Sequence, residues 1–308
     1  CADRYLAVLY DHLHEKLYGY HVLQADETPV LVNKDGRPAG SRSYMWVYRT
    51  GRMYTDRQIV LYEYQKTRNA SHPRGFLKDF NGVCVTDGYQ VYHTVENERE
   101  DLKIAGCWSH ARRRFDEAVK ALPKAKQKDS RAYLALTMIQ AIYREEKLLK
   151  DLPAEERRNR RQLSVKPLVE AYFTWVRENL PKVPQKSKTW EGFNYSLNQE
   201  KYLKVFLDDG EVPMDNNAAE QSIRGFCIGK KNWVMIDTIT GAKSSAIIYS
   251  IAETAKANNL KPYDYFEYLL TEIPKHLDDT DRSFLDDLLP WSPSLPANCH
   301  KPDKSEVK

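Results

Sequence analysis

Three carboxylates stand in settings that suit metal-dependent phosphodiester chemistry. Asp26 lies in His21-Val22-Leu23-Gln24-Ala25-Asp26-Glu27-Thr28. Asp87 follows the apolar run Gly82-Val83-Cys84-Val85-Thr86 and precedes Gly88-Tyr89. Glu220 falls in Asp215-Asn216-Asn217-Ala218-Ala219-Glu220-Gln221, which reads as the first turns of a helix. Two Asp at strand ends and a distant Glu on a helix can hold two divalent cations about 3.5–4 Å apart. One cation then activates the attacking oxygen while the other stabilises the leaving one. Mg²⁺ suits such a site because it keeps several waters and needs few carboxylates besides the substrate phosphates. Two Mg²⁺ (or Mn²⁺) ions are therefore expected. A single Asp at a strand end is ordinarily a turn residue; all three together, in this order and context, carry the expectation. Glu27 is set aside, since side chains alternate along a strand and it points away from Asp26.

Basic residues form a second layer of candidates. His110, Arg112, Arg113 and Arg114 cluster at the start of an expected helix, and Lys120, Lys124, Lys126 and Lys128 continue the positive run. Such groups neutralise phosphates, setting affinity and register rather than sequence choice. A basic run is ordinarily a solvated helix face, and His110 taken alone is as well read as a packed histidine. Trp108 is expected in the core. Asp215 is placed to cap the Glu220 helix by accepting a backbone N–H. Arg224 follows Glu220 by four residues, on the same helix face, where it orients the carboxylate or holds a phosphate. Lys230 and Lys231 follow Gly229 on an expected loop and are read as DNA contacts.

The elements that must position these residues are legible in the periodicity. Residues 1–19 repeat apolar positions at helical spacing and end at Gly19. Three extended segments follow: Tyr20 to Val32, Tyr44 to Arg49 and Gln58 to Tyr64, with Gly36, Pro38, Gly40 and Gly51 between them. A three-stranded meander is predicted. A short helix over Pro73 to Phe80, a buried strand over Gly82 to Thr86 and a short strand near Lys103 to Gly106 come next. That order predicts an α/β fold of the ribonuclease H-like class, a mixed five-stranded sheet flanked by helices. From Trp108 to about Leu207 nothing reads as strand, so a helical insertion before Glu220 is expected. The divisions are then residues 1–19, a helix from a preceding region; 20–111, the first part of the core; 112–207, the insertion; 208–260, the second part of the core; and 261–308, a C-terminal helix and tail. Beyond Ser292 the tail is expected to be disordered.

Composition narrows the class. The chain has 308 residues and a net charge of +4, too small to imply nucleic acid without a local concentration of charge. No apolar stretch approaches the roughly 18 residues of a membrane span, and no signal peptide opens the chain. Cys1, Cys84, Cys107, Cys227 and Cys299 are scattered and never spaced Cys-x-x-Cys. They point to a reducing cytoplasm and away from a zinc site. The chain opens on Cys1 already in helical pattern, as a fragment of something longer would.

With these residues in view, the chain resembles the transposases of the insertion-sequence sixty-six family. The matching blocks include Ala25-Asp26-Glu27-Thr28-Pro29-Val30, Tyr44-Met45-Trp46-Val47-Tyr48 and Asp87-Gly88-Tyr89. Gly106-Cys107-Trp108-Ser109-His110-Ala111-Arg112-Arg113, Asp215-Asn216-Asn217-Ala218-Ala219-Glu220 and Ile228-Gly229-Lys230-Lys231-Asn232-Trp233 follow. Ala246-Ile247-Ile248-Tyr249-Ser250, Glu253-Thr254-Ala255-Lys256-Ala257-Asn258 and Leu288-Leu289-Pro290-Trp291 complete the set. The resemblance implies a bacterial DNA transposase of the Asp-Asp-Glu type, with Asp26, Asp87 and Glu220 as catalytic and metal-binding residues. It would cut transposon ends and join the freed 3′-OH to target DNA. Its implied partners are double-stranded DNA, further copies of itself on that DNA, and accessory proteins of the same element; no membrane is involved. The implied location is the cytoplasm, on the nucleoid. Two departures stand out: Gln221 replaces the family's usual Arg after the Glu, and the family's amino-terminal DNA-binding part is expected to be missing. A ribonuclease H-like nuclease or resolvase that cuts without joining, and an inactive DNA-binding remnant, are the competing readings.

Overall fold

The computed structural model describes residues 2–38 and 40–302. A π-helical turn, Ala2–Leu6, runs into α1 (Ala7–Leu17), followed by β1 (Val22–Lys34), β2 (Arg42–Thr50) and β3 (Val60–Gln65). Next come α2 (Ser71–Phe76), β4 (Gly82–Val85), α3 (Gln90–Glu96) and β5 (Leu102–Ala105). A helical stretch holds α4 (Trp108–Lys120), α5 (Lys124–Gln127), α6 (Arg131–Leu148), α7 (Ala154–Arg160), α8 (Lys166–Asn179), α9 (Lys188–Asn198) and α10 (Glu200–Leu203). The order closes with α11 (Asn217–Trp233), β6 (Ile236–Thr238), α12 (Ile239–Ala257), α13 (Pro262–Glu272) and α14 (Phe284–Leu288). This α/β order, with strands of mixed direction, is compatible with the ribonuclease H-like class. No helix of the described residues is long and apolar enough to cross a membrane. The chain divides into two compact units, Cys1–Gly82 with Ala218–Lys308, and Val83–Asn217.

In the first unit, β1, β2 and β3 form the expected antiparallel meander. Its register runs from Leu23↔Thr50 to Leu31↔Arg42, and from Tyr44↔Gln65 to Arg49↔Val60. The sequence missed β6, which pairs parallel with β1 through Val32↔Ile236 and Lys34↔Thr238. Three residues are too few to show a period of two. On one face, Val30, Val32, Met45, Val47, Val60, Tyr62 and Tyr64 pack against Ala219, Ile223 and Phe226 of α11 and Ala242 and Ala246 of α12. Each large side chain buried there contributes about 1.5–3 kcal/mol.

β3 has β2 on one side only, and α12 covers part of its other side. Thr254 Oγ1 accepts from Val60 N and donates to Val60 O, both at 3.0 Å. Ser250 Oγ accepts from Tyr62 N at 2.7 Å. Two hydroxyls thus stand in for a neighbouring strand and close an edge that would otherwise invite pairing.

The opposite sheet face carries a row of unlike character, Glu27↔Trp46↔Glu63. Glu27 lies on this face, as the alternation requires, and is ion-paired to Arg68. Glu63 accepts a hydrogen bond from Gln65 Nε2 at 2.9 Å, while its Oε2 is buried without a partner. Burial pushes the Glu63 carboxyl up to about 7.

The tail departs from expectation. Beyond Ser292 it is ordered as far as residue 302: Leu295 and Cys299 are buried, Lys261 N donates to Cys299 O at 2.7 Å and Lys301 N to Asn259 O at 3.0 Å. The segment reads as polar, yet its backbone pairs with the turn between α12 and α13. That pairing leaves no periodic signal in the sequence. Residues 303–308 lie outside the described residues.

β4 and β5 are neighbours joined by α3, and Thr86 N donates to Ala105 O at 2.9 Å. No strand occurs between Trp108 and Leu207, as expected. Trp108 is fully buried, donating from Nε1 to Leu203 O at 2.8 Å and packing on Tyr172, Phe173 and Phe206. Arg161 is also fully buried, ion-paired to Glu146 and donating to the carbonyls of Phe206, Asp209 and Val212. A buried charge is tolerable only with such complete pairing.

Two stability predictions follow from the first unit. Thr254→Val keeps the side-chain shape but strands the Val60 amide, and should lower unfolding free energy by about 1–3 kcal/mol in urea titrations. A loss below about 0.5 kcal/mol would show that α12 does not seal the edge. For Glu63 the folded pKa lies above the unfolded one, so stability is fullest below the unfolded value of 4.5 and falls as pH rises toward about 7. Glu63→Gln should therefore gain on the order of 2 kcal/mol over wild type near pH 8 and nearly nothing near pH 4. An equal gain at both pH values would contradict this.

Candidate functional site

Asp26 does not sit at a strand end. It lies inside β1, opposite Val47, which in turn lies opposite Tyr62. Its side chain is half-buried, and Oδ1 accepts from Glu27 N at 2.9 Å. Strand β1 begins at Val22 and runs past the site to Lys34, farther than the meander alone requires, because β6 extends its pairing. By alternation Asp26 shares its face with Thr28, Val30 and Val32, the face that α11 covers.

The same row locates Glu220. Tyr62 Oη donates to Ser222 O at 2.7 Å. Arg49 Nη1 reaches Ala218 O and Ser222 Oγ, both at 3.3 Å. Arg49 stands opposite Gln24, two residues from Asp26. The turn Ala218–Ser222, with Glu220 in its middle, is thus pinned above the rows that carry Gln24 and Asp26. Farther along α11, Cys227 Sγ meets Thr28 Oγ1 at 3.4 Å and Lys230 Nζ donates to Pro29 O at 2.8 Å. The helix therefore runs along β1 with its Glu220 end toward Asp26. Burial raises the Tyr62 phenol well above its usual range and lowers the Arg49 guanidinium. Tyr62 thus acts only as a neutral donor to the helix backbone.

Several expectations about α11 change. Asp215 Oδ1 accepts from Asn217 N at 3.2 Å, so it serves the helix start from one position before the cap. Lys230 and Lys231 lie within α11, not on a loop. Gly229 is no helix breaker here: a Cβ on it would fall 2.1 Å from Tyr249 Oη, so the glycine admits close packing of α12. Arg224, Lys231 and Gln221 are exposed.

Asp87 belongs to the second unit. It follows β4 by two residues, half-buried, with Oδ1 accepting from Tyr89 N at 2.9 Å. Gly88 takes φ +88°, and a Cβ on it would lie 2.8 Å from Gln199 Oε1, so only glycine fits this turn. Tyr195 Oη donates to Asp87 O at 3.0 Å. Neither Tyr195 nor Gln199 was singled out from the sequence. Both lie on or beside α9, more than a hundred residues from Asp87, and no local spacing marks them.

The basic start of α4 lies in the same unit. Arg114 covers the Tyr195 ring at 4.3 Å, and Arg112 lies 5.9 Å from the Tyr143 ring. Arg112, Arg113 and Arg114 are exposed, while His110 is half-buried. Tyr195 thus joins the Asp87 main chain to the arginine-bearing face of α4. The segment before α11 is anchored to α4 as well. Trp108 N donates to Met214 O at 3.1 Å, and Ser109 Oγ to Asn217 Oδ1 at 2.9 Å.

Asp26, Asp87 and Glu220 are half-buried, and carboxylate oxygens are hard donors of the kind that suit Mg²⁺ or Mn²⁺ rather than softer metals. Residues 1–244 match the family described as "Transposase IS66 family", and residues 250–291 match "IS66 C-terminal element". The chain belongs to the IS66 transposase family. Two proteins of Sinorhizobium fredii, described as uncharacterized proteins y4qI and y4jD, are 28% identical over 296 residues and 27% identical over 300. These alignments cover 93% and 94% of this chain, and 53% and 57% of the relatives. A third from the same organism, y4hP, is 24% identical over 303 residues, covering 93% of this chain and 53% of its own. The chain spans about half the length of the relatives it matches.

The seating of Glu220 is testable. Tyr62→Phe removes the bond to the Ser222 carbonyl and should speed amide exchange in the first turns of α11, with a loss of about 1 kcal/mol. Unchanged exchange in that turn would mean that apolar packing alone positions Glu220.

Proposed function

We propose that this chain is the catalytic portion of a DNA transposase, in which Asp26, Asp87 and Glu220 together hold two divalent metal ions. The observation that carries this is the pinning of the Glu220 turn above the strand row of Asp26, by Tyr62 and Arg49 acting on the α11 backbone. Asp87, on a turn held open by Gly88 and tied by Tyr195, is the third carboxylate and must join the other two in the working protein. Bound there, Mg²⁺ or Mn²⁺ would supply charge for activating the attacking oxygen and stabilising the leaving one.

The protein's own contribution is positioning and charge. First, water attacks the phosphodiester at a transposon end; the P–O3′ bond to the element's terminal nucleotide breaks, the phosphate stays on the 5′ end of the flanking strand, and the freed oxygen takes up the proton that the water loses, as a 3′-OH. That 3′-OH then attacks a target phosphodiester, forming a new P–O bond and releasing the target strand's own 3′-OH. Arg112 and Arg113, exposed on α4 next to the Arg114 that covers Tyr195, neutralise phosphates beside the reacting one. Arg224, Lys230 and Lys231 do the same along α11, and His110 contributes a donor at the start of α4. These groups contact phosphates, so they position duplex DNA without reading its sequence. The protein acts on the nucleoid in the cytoplasm, as copies assembled on DNA and with accessory proteins of the same element.

Cleavage and joining assays on the full-length protein, with the element's own end sequences, test this. Asp87→Asn keeps the size but loses the charge that two cations need, and should reduce both activities by at least about a thousandfold without altering circular dichroism. Activity near wild type would overturn the assignment. Cleavage without joining in the wild-type protein would place it among the nucleases instead.

A further inference from the structure

Val234 is an outlier. Four non-glycine residues among those described have positive φ, namely Arg57, Lys186, Val234 and Asn259, and only Val234, at φ +60°, is β-branched. A β-branched side chain suits left-handed backbone worst, whereas glycine or asparagine accepts it readily. Core packing does not account for the valine either, because Val234 is 58% exposed and the next residue, Met235, is 46% exposed. An exposed apolar residue in left-handed backbone, where glycine would sit without strain, points to a use for the side chain itself.

The surroundings say what that use is. Val234 and Met235 form the corner between α11 and β6. The corner is tied to the end of α11: Val234 N donates to Lys230 O at 2.7 Å, and Trp233 sits edge-on against buried Phe226 at 5.5 Å. Lys230 and Lys231 lie one turn back on α11. The acid beside the corner, Asp237, is neutralised by Lys34 at 2.7 Å. A pair of apolar side chains on a fixed corner, with cations just behind it, matches what a distorted DNA duplex accepts. Proteins that kink DNA push such side chains between base steps while lysines and arginines hold the adjoining phosphates.

We propose that the Val234–Met235 corner is an apolar wedge that enters an unstacked base step of double-stranded DNA, with Lys230 and Lys231 on the neighbouring phosphates. This rests on the DNA-transposase reading and adds to it a site of DNA deformation. Strain at Val234 keeps the side chain presented before DNA arrives.

The test is binding of the full chain to a short paired duplex and to the same duplex with one central mismatch, in metal-free buffer. A mismatch lowers the cost of unstacking, so the wild type should prefer it by about tenfold. Val234→Gly relieves the backbone and should raise Tm, which separates its effect from misfolding. The same variant, and Met235→Ser, should cut the preference to within about twofold while leaving the salt slope unchanged, because the lysines remain. A preference retained in Val234→Gly, or none in the wild type, overturns the wedge while leaving the DNA reading standing. Loss of self-association in Val234→Gly, with the preference intact, assigns the corner to a second copy of the chain and also overturns the wedge. No binding to either duplex by the wild type overturns the DNA reading itself.

Discussion

The architecture of the first unit depends on how one helix is seated on one sheet. α11 lies along β1 because Ala219, Ile223 and Phe226 need the apolar face that Val30, Val47 and Tyr62 present. Apolar packing is non-directional and would tolerate sliding along the helix axis. The hydrogen bonds from Tyr62 to Ser222 and from Arg49 to Ala218 are directional, and they fix which turn stands over which row. A slip of one residue would turn Glu220 by about 100° around the helix, away from the Asp26 side. Buried polar groups here select one arrangement among several of similar apolar burial.

The same economy appears at β3. Its free edge is satisfied by Thr254 and Ser250, so α12 serves both as a core helix and as a substitute strand. Gly229, which looks like a breaker in the sequence, instead lets Tyr249 of α12 reach the α11 backbone. The two helices therefore constrain each other as well as the sheet.

Much of this was legible in the sequence, and the failures have physical reasons. Strands β1 to β5 show alternation or apolar runs bounded by glycine and proline, and each appears close to its expected place. Glu27 fell on the face opposite Asp26, as a period of two demands. β6 was hidden because it is only three residues long and is defined by its partner. Lys230 and Lys231 were read as loop because glycine within a helix signals a breaker unless the approaching residue is known. The tail after Ser292 was read as disordered because its order comes from backbone pairing with Asn259 and Lys261, which leaves no side-chain pattern. At the candidate site the three proposed carboxylates were chosen from their sequence context, whereas the residues that hold their segments in place were not. Tyr62, Arg49, Tyr195 and Gln199 act on backbone carbonyls or fill space beside a glycine, and nothing in local spacing marks a residue that does so from far along the chain.

What remains is whether the three carboxylates work as one centre. A crystal soaked in Mn²⁺, with the ions located by their anomalous scattering, decides it most directly. Two ions about 3.5–4 Å apart, with oxygen ligands from Asp26, Asp87 and Glu220, are the predicted result. Ions bound elsewhere, or a site that leaves Asp87 or Glu220 without a metal contact, would contradict the account.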